Sequence, residues 1–399
     1  MALQRVGIEA TIYEAYDRPA DFAGSFLNLS SNGIDALRVI GADRAVLDAG
    51  FPTPRMMMWS GSGKRLGEVA NGIALDDGTT SQTIQRGLLH RALRDEATRR
   101  HIAIVQGKRL AAAAHDGNGV RVRFENGTES EGTLLIGADG LHSITRRLID
   151  PAAPAPRRTG MLSIGGRAVN RTLSPTPDTF HMIFGRRAFF GYTVRPSKEV
   201  WWFANVASTD DSGGDAAAAG SPADWKERLR RLFADDAGPA TEIVNATDED
   251  LAVYPMFDLP PVPRWHSGPM VIMGDAAHAT SPSSGQGASM AIEDAVVLAK
   301  CLRDTCDIRD AFATYERLRR QRVERVVRNS ARIDRSKSPG PVGRWLRDLC
   351  MPVALKLFAS PNAHAWLYRY HIDWNERVTA SAGRRAHDAA VCADPRAAY

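Results

Sequence analysis

The chain is short of the residues that staple or ligate. Its 399 residues include four cysteines, Cys301, Cys306, Cys350 and Cys392. No two of them form a Cys-x-x-Cys pair, and no histidine cluster has zinc spacing, so they read as free thiols in a reducing compartment. No apolar run is long enough to cross a bilayer and no signal peptide opens the chain, so a cytoplasmic location is expected. Internal repeats are absent, and so is clustered charge. Charged residues make up 24% of the chain for a net charge of +5, and the arginines are spread along it, whereas a nucleic-acid partner needs a basic patch. Neither a nucleic-acid partner nor a stable membrane association is expected. What is present is 44% hydrophobic residues, enough for two closely joined domains.

A further absence lies near the first residue. Met1 to Gly7 reads as the last turns of a helix capped by Gly7. Ile8-Glu-Ala-Thr-Ile-Tyr-Glu14 follows as a strand rich in β-branched residues that ends on an acid. Helix, strand and acid form the second half of a dinucleotide-binding βαβ unit. The first half, a buried strand and a Gly-x-Gly-x-x-Gly turn, takes roughly 20 more residues upstream. The expectation is therefore a truncated or mis-started copy of a longer protein, lacking a central strand of its parallel sheet.

Hydrophobic periodicity predicts helices over 34–46 and 86–100, and short strands at 102–105, 120–124 and 133–136. Pro151, Pro154 and Pro156 mark a boundary. Beyond it, Thr179 to Phe184, Phe189 to Val194 and Val200 to Val206 alternate as strands with few helices between them, which predicts an antiparallel sheet. Ala207 to Gly220 reads as a mobile loop. Ser221, Pro222 and Asp224 carry the signature of a capped helix start. Pro269 to Met273 is a buried strand, followed by a helix from about Gly287 and an Arg-rich helix over 308–334. The basic run 317–328 reads as a solvated helix face. Residues 345–358 read as packing on the nucleotide-binding part, and the tail after Val378 as disordered.

Three separated segments carry chemistry. Glu14 ends its strand where an acid accepts from ribose hydroxyls. Gly137-Ala-Asp139-Gly140 runs from a strand into a turn, where Asp139 either accepts from a hydroxyl or braces the turn with Ser143 as cap. Gly274-Asp275 follows another strand, and Gly285-Gln-Gly287 then opens a helix with bare N–H groups. That end carries about half a positive charge and favours an anion such as a reduced flavin edge. His278 and His142 read as structural. Met182, Phe184, Phe190 and Tyr192 are pocket candidates, with one aromatic of Trp201-Trp202-Phe203 facing the pocket.

These segments resemble the class A FAD-dependent aromatic hydroxylases, the family of p-hydroxybenzoate, salicylate and polyketide hydroxylases, over about residues 2–335. The resemblance implies an α/β fold: an FAD-binding Rossmann-like parallel sheet, an antiparallel-sheet substrate domain and C-terminal helices. It implies FAD-binding segments at 1–150 and 256–335, with 52–80 joining the substrate sheet. It also implies a substrate domain at 151–255, a helical segment at 336–378 and a tail at 379–399. As cofactor-binding residues it implies Glu14 at the ribose, Arg86 beside the active site, Leu110 by its backbone at the adenine and Asp139 near both FAD and the pyridine nucleotide. Asp275 would bind at the ribityl chain, and Pro282, Gly285, Gly287 and Ala288 beside the isoalloxazine ring. No metal and no acid–base catalytic side chain are implied.

The implied activity is a monooxygenase that consumes NAD(P)H and dioxygen. It would hydroxylate a small aromatic or polyketide-like substrate through a C4a-hydroperoxyflavin. A flavin dehydrogenase or epoxidase on the same scaffold and a non-catalytic truncated protein remain alternatives. The Trp-x-Trp-x-Ile-Pro segment of flavin halogenases is absent.

Overall fold

The computed structural model describes residues 1–19, 21, 25–115, 119–208, 220–248, 251–337, 341–358 and 364–378. Most of the expected loop at 207–220 and the whole tail after Val378 lie outside them.

Short parallel pairs form one part of the molecule. Thr11–Tyr13 lies beside Ala103–Val105, and Leu135–Gly137 lies beside Met270–Ile272, which takes His266–Ser267 on its other edge. The two pairs belong to separate sheets. Strands of a parallel sheet are normally covered on both faces; here Ile12 and Tyr13 are 43% and 38% exposed. The helices Ser31–Val39, Gly287–Asp304 and Ile308–Lys337 pack together against the Met270–Ile272 side, around Tyr315, Trp265 and Met290. The single helix expected over 34–46 is two, Ser31–Val39 and Asp43–Ala49. Gly41 between them has φ +64°, and a left-handed residue ends a helix by turning its last carbonyls back.

A seven-stranded sheet forms the other part. Its order is Ala252–Asp258, Arg157–Val169, Glu199–Ala207, Phe189–Val194, Thr179–Phe184, Arg55–Ser60 and Arg65–Ala70. All neighbours are antiparallel except Thr179–Phe184 with Arg55–Ser60. Successive side chains of a strand take opposite faces, and this divides the aromatics. Phe190, Tyr192 and Trp202 point into a core closed by the helices Pro222–Phe233 and Ala240–Ala246. The first of these helices starts on a full Ser221–Asp224 capping box. The opposite face carries Phe180, Met182, Phe184, Trp201 and Phe203, and it meets Phe26 and Phe51 of the first part. Phe26 stands 5.6 Å from Phe180 and Trp201, and Phe51 stands 5.2 Å from Trp201. Phe190 and Tyr192 are thus corrected from pocket candidates to core residues by the parity of their strand.

Three other expectations change. The helix Pro341–Phe358 packs on the Arg65–Ala70 edge of the large sheet. Lys64 donates to the Asp348 carbonyl at 3.2 Å and Arg347 to that of Phe184 at 3.3 Å. The Arg-rich run is a solvated face only in part: Arg317 and Arg328 are exposed, whereas Arg319 is buried. Arg322 lies 4.0 Å from the Tyr370 ring and Arg325 3.9 Å from that of Trp366, a cation–π arrangement that holds the segment 364–378. Among the cysteines, Cys301 and Cys350 are free, but Cys306 is disulfide-bonded. No described helix is long and apolar enough to cross a membrane.

Candidate functional site

The three segments singled out in the sequence sit at the ends of these elements. Glu14 follows Thr11–Tyr13, and its N–H donates to the Val105 carbonyl at 2.9 Å. Lys108 N–H donates to the Glu14 carbonyl at 2.8 Å, which laces the loop before Leu110 to the acid. One carboxylate oxygen of Glu14 accepts from Tyr16 N–H; the other has no partner among the described residues. Leu110 is half-buried and opens the strand Leu110–His115. The helix Ile144–Ile149, which follows Asp139, packs on that strand.

Asp139 and Asp275 lie beyond the carboxyl ends of adjacent parallel strands, Gly137 being paired with Ile272. Arg146 ties the two turns by donating to the Ala276 carbonyl at 2.9 Å. Their carboxylates differ in what they meet. Asp139 accepts from the Ser143 hydroxyl at 2.5 Å, from the N–H groups of Ile144 and Thr145 at 2.8 and 2.9 Å, and from the Thr145 hydroxyl at 3.0 Å. It braces the turn and fills the acceptor capacity of a carboxylate. Asp275 is exposed at the start of a one-turn helix and has no side-chain partner among the described residues.

The helix Gly287–Asp304 begins without a side-chain cap, so its first N–H groups and the positive end of its dipole are free to meet an anion. A Cβ on Gly287 would meet nothing within 4 Å. Gly285, at φ +63°, turns the chain into it from the 3-10 turn Pro282–Ser284; Pro282 is exposed and Ala288 half-buried. Gln286 is directed inward, receiving from Asn32 at 3.0 Å and donating to Ser30 at 2.8 Å. Ser30 follows the strand Phe26–Leu29, which pairs with Gln82–Gln85, and that strand ends at Arg86. The Arg86 side chain is exposed and unpartnered among the described residues. The strand Phe26–Leu29 therefore links the aromatic face, Arg86 and the uncapped helix: Phe26 meets the aromatic face and pairs with Gln85, which precedes Arg86, and Ser30 at its other end meets Gln286 beside the uncapped helix.

The sequence reading missed Asn32, Ser289, Glu293, Asp294 and Arg319, all buried. A Cβ on Gly33 would stand 2.6 Å from Ser289 Oγ, so a glycine there allows the helices Ser31–Val39 and Gly287–Asp304 to touch. The available signal was Glu293-Asp294 inside an otherwise apolar stretch. Among the described residues no cluster of His, Cys, Asp or Glu is arranged to hold a metal.

Residues 1–330 match the FAD binding domain family. The chain belongs to it. The monooxygenase is 31% identical over 384 residues to the 3-amino-4-hydroxybenzoate 2-monooxygenase of Streptomyces platensis, covering 92% of each chain. It is 29% identical over 352 residues to the aurachin C monooxygenase/isomerase of Stigmatella aurantiaca, covering 86% of each. Its fold superposes on Klebsiella pneumoniae HpxO complexed with FAD and uric acid with a TM-score of 0.80 at 25% identity, covering 92% of each chain. It is accordingly a class A FAD-dependent monooxygenase, and the α/β architecture expected from the sequence is the one observed.

Proposed function

We propose that the chain hydroxylates a small aromatic, heteroaromatic or polyketide-like molecule, using FAD, NAD(P)H and dioxygen. The observation that carries this is the juxtaposition of an open carboxylate at Asp275, an uncapped helix end at Gly287 and a wall of apolar aromatic side chains. The residues present suit FAD along most of its length. Glu14 would hold the ribose and the backbone at Leu110 the adenine. Asp275 would hold the ribityl chain, and Pro282 with Gly285 to Ala288 the isoalloxazine edge. Arg86 would stand beside the ring, and Asp139 would act through the turn it braces. The same reading divides the chain at 150 and 255 into cofactor and substrate segments, with 256–335 returning to the cofactor.

Bound FAD would supply the redox chemistry that links NAD(P)H oxidation to the insertion of one oxygen atom of dioxygen into the substrate. The chain's own residues bind and orient. The helix N-terminus at Gly287 stabilises negative charge at the flavin edge, and its effect is stronger where water is excluded. Phe26, Phe180, Met182, Trp201 and Phe203 exclude water and offer flat apolar surfaces to a ring. Among these five side chains none can act as a general acid or base. Relatives whose names give a 3-amino-4-hydroxybenzoate 2-monooxygenase, a urate hydroxylase and a 6-hydroxynicotinate 3-monooxygenase support an aromatic or heteroaromatic substrate here.

The test is a screen of phenols, hydroxylated heterocycles and polycyclic aromatics for stimulated NAD(P)H oxidation, with product analysis in isotopically labelled dioxygen. One labelled oxygen atom in the product is expected. Turnover with an unlabelled product would show a dehydrogenase instead.

A further inference from the structure

We infer that Asp294 is a positioning residue that sets Asp275 against the N-terminus of the Gly287–Asp304 helix; the inference rests on the flavin reading above. Asp294 lies two turns into that helix and is fully buried. Its Oδ2 accepts from the Gly274 N–H at 2.9 Å and lies 2.5 Å from His278 Nε2, while its Oδ1 accepts from Arg319 Nε at 2.6 Å. Gly274 immediately precedes Asp275 and His278 closes the same turn. One carboxylate therefore holds both ends of the turn that presents Asp275. It does so from the helix whose free end would meet the other part of the cofactor.

Three further observations show that this arrangement is specific. Gly274 has φ +57° and ψ −139°, a backbone state open in practice only to glycine. A Cβ there would lie 3.1 Å from that of Ala291, one turn before Asp294. The Nδ1 of His278 is buried without a partner, so among the described residues Asp294 is the imidazole's side-chain anchor. Arg319, itself fully buried, fixes Asp294 from behind and also pairs with Glu293 at 2.7 Å. Burial opposes ionisation of Asp294, but His278 and Arg319 outweigh it and hold the carboxyl well below the usual range. Packing alone would be served by an apolar side chain at this position. A buried acid with three polar partners serves orientation.

The experiment compares FAD affinity with stability in purified full-length variants. Dissociation constants are read from flavin fluorescence, melting temperatures from the FAD-free chain, and amide exchange of Gly274 by NMR. Asp294→Asn is expected to weaken FAD binding roughly 10- to 100-fold, the range for losing hydrogen bonds to a charged group, and to speed Gly274 exchange. Phe190→Leu, in the core on the far face of the large sheet, serves as the stability control and is expected to keep FAD affinity within about twofold, because it touches none of these groups. If Asp294→Asn does not fold, His278→Leu and His278→Gln carry the same comparison. The glutamine keeps a donor toward Asp294 and should retain affinity, whereas the leucine should lose it. Wild-type affinity in Asp294→Asn, equal affinity in the two His278 variants, or losses that only track melting temperature would overturn the inference. A wild-type chain that takes up no FAD would instead sink the flavin reading, and Gly274 exchange would still report whether Asp294 holds the turn.

Discussion

Asp139 and Asp275 look alike in sequence, each an acid beside glycine after a short buried strand, yet they end in different circumstances. Asp139 is saturated by its own turn and the first residues of the next helix. Asp275 stays exposed and unpartnered among the described residues. Both turns were legible in the sequence, because a strand, a glycine and an acid are local features. It left the role of Asp139 open, since that depends on where the Ser143 and Thr145 hydroxyls fall. The aromatic residues of the large sheet make the same point, because strand parity sorts them and a one-residue difference reverses the outcome. Phe203→Ala should therefore raise KM or uncouple NAD(P)H oxidation from product formation with modest loss of stability. Phe190→Ala should cost about 3–5 kcal/mol of stability, as large-to-small core changes do, with kcat/KM of the folded fraction close to wild type. Urea unfolding and steady-state kinetics on the two variants check this, and the reverse pattern would mean that the two faces are assigned the wrong way round.

At the scale of elements, the helix Gly287–Asp304 joins most of the site. Its first turn is open toward the proposed cofactor, Ser289 Oγ accepts from the Ser30 N–H at 3.2 Å where Gly33 lets the two helices touch, and Glu293 and Asp294 reach opposite neighbours. Its start was legible from Gly-x-Gly before an apolar run. Its buried acids were not, because their partners Arg319 and Arg322 lie on the next helix. Arg322 pairs with Glu293 at 2.8 Å and donates to the Trp366 and Leu367 carbonyls at 2.9 and 3.0 Å. It therefore fastens the segment 364–378 to the core. Arg322→Met leaves Glu293 with one cation fewer in a buried site, and breaking such a pair costs about 3–5 kcal/mol. A fall in the urea midpoint of that order is expected, and an unchanged midpoint would show that the clamp is dispensable.

For the molecule as a whole, acid should be the weak side. Burial lowers the pKa of His181, whose Nδ1 accepts from Trp59 Nε1 at 3.0 Å, and burial also lowers that of His266. Each binds a proton less readily folded than unfolded, so stability falls as pH drops below the unfolded value of about 6.5. Glu293 and Asp294, held low mainly by Arg319, His278 and Arg322 against the opposing effect of burial, add a second loss once pH falls below about 4. Melting temperature should therefore decline in two stages from pH 8 to pH 3, and His181→Gln, which keeps an acceptor for Trp59, should flatten the first. A single acid transition confined to pH below 4 would contradict the histidine part. The antiparallel sheet was legible from the strands beyond Pro151 with few helices between them, although Arg55–Ser60 and Arg65–Ala70 join it from before that point. The packing of Pro341–Phe358 on the large sheet was not, since an apolar helix does not name the surface it covers.

The central claim is that Glu14, Asp275 and the Gly287 helix end, distant in sequence, serve one cofactor. Its most direct measurement is an FAD titration of the purified chain beside Glu14→Gln and Asp275→Asn, followed by flavin fluorescence. One FAD per chain is predicted, with each variant binding roughly tenfold or more weakly for the loss of a hydrogen-bonded charge. A chain that binds no FAD, or binds it with an affinity that neither substitution changes, would contradict the account.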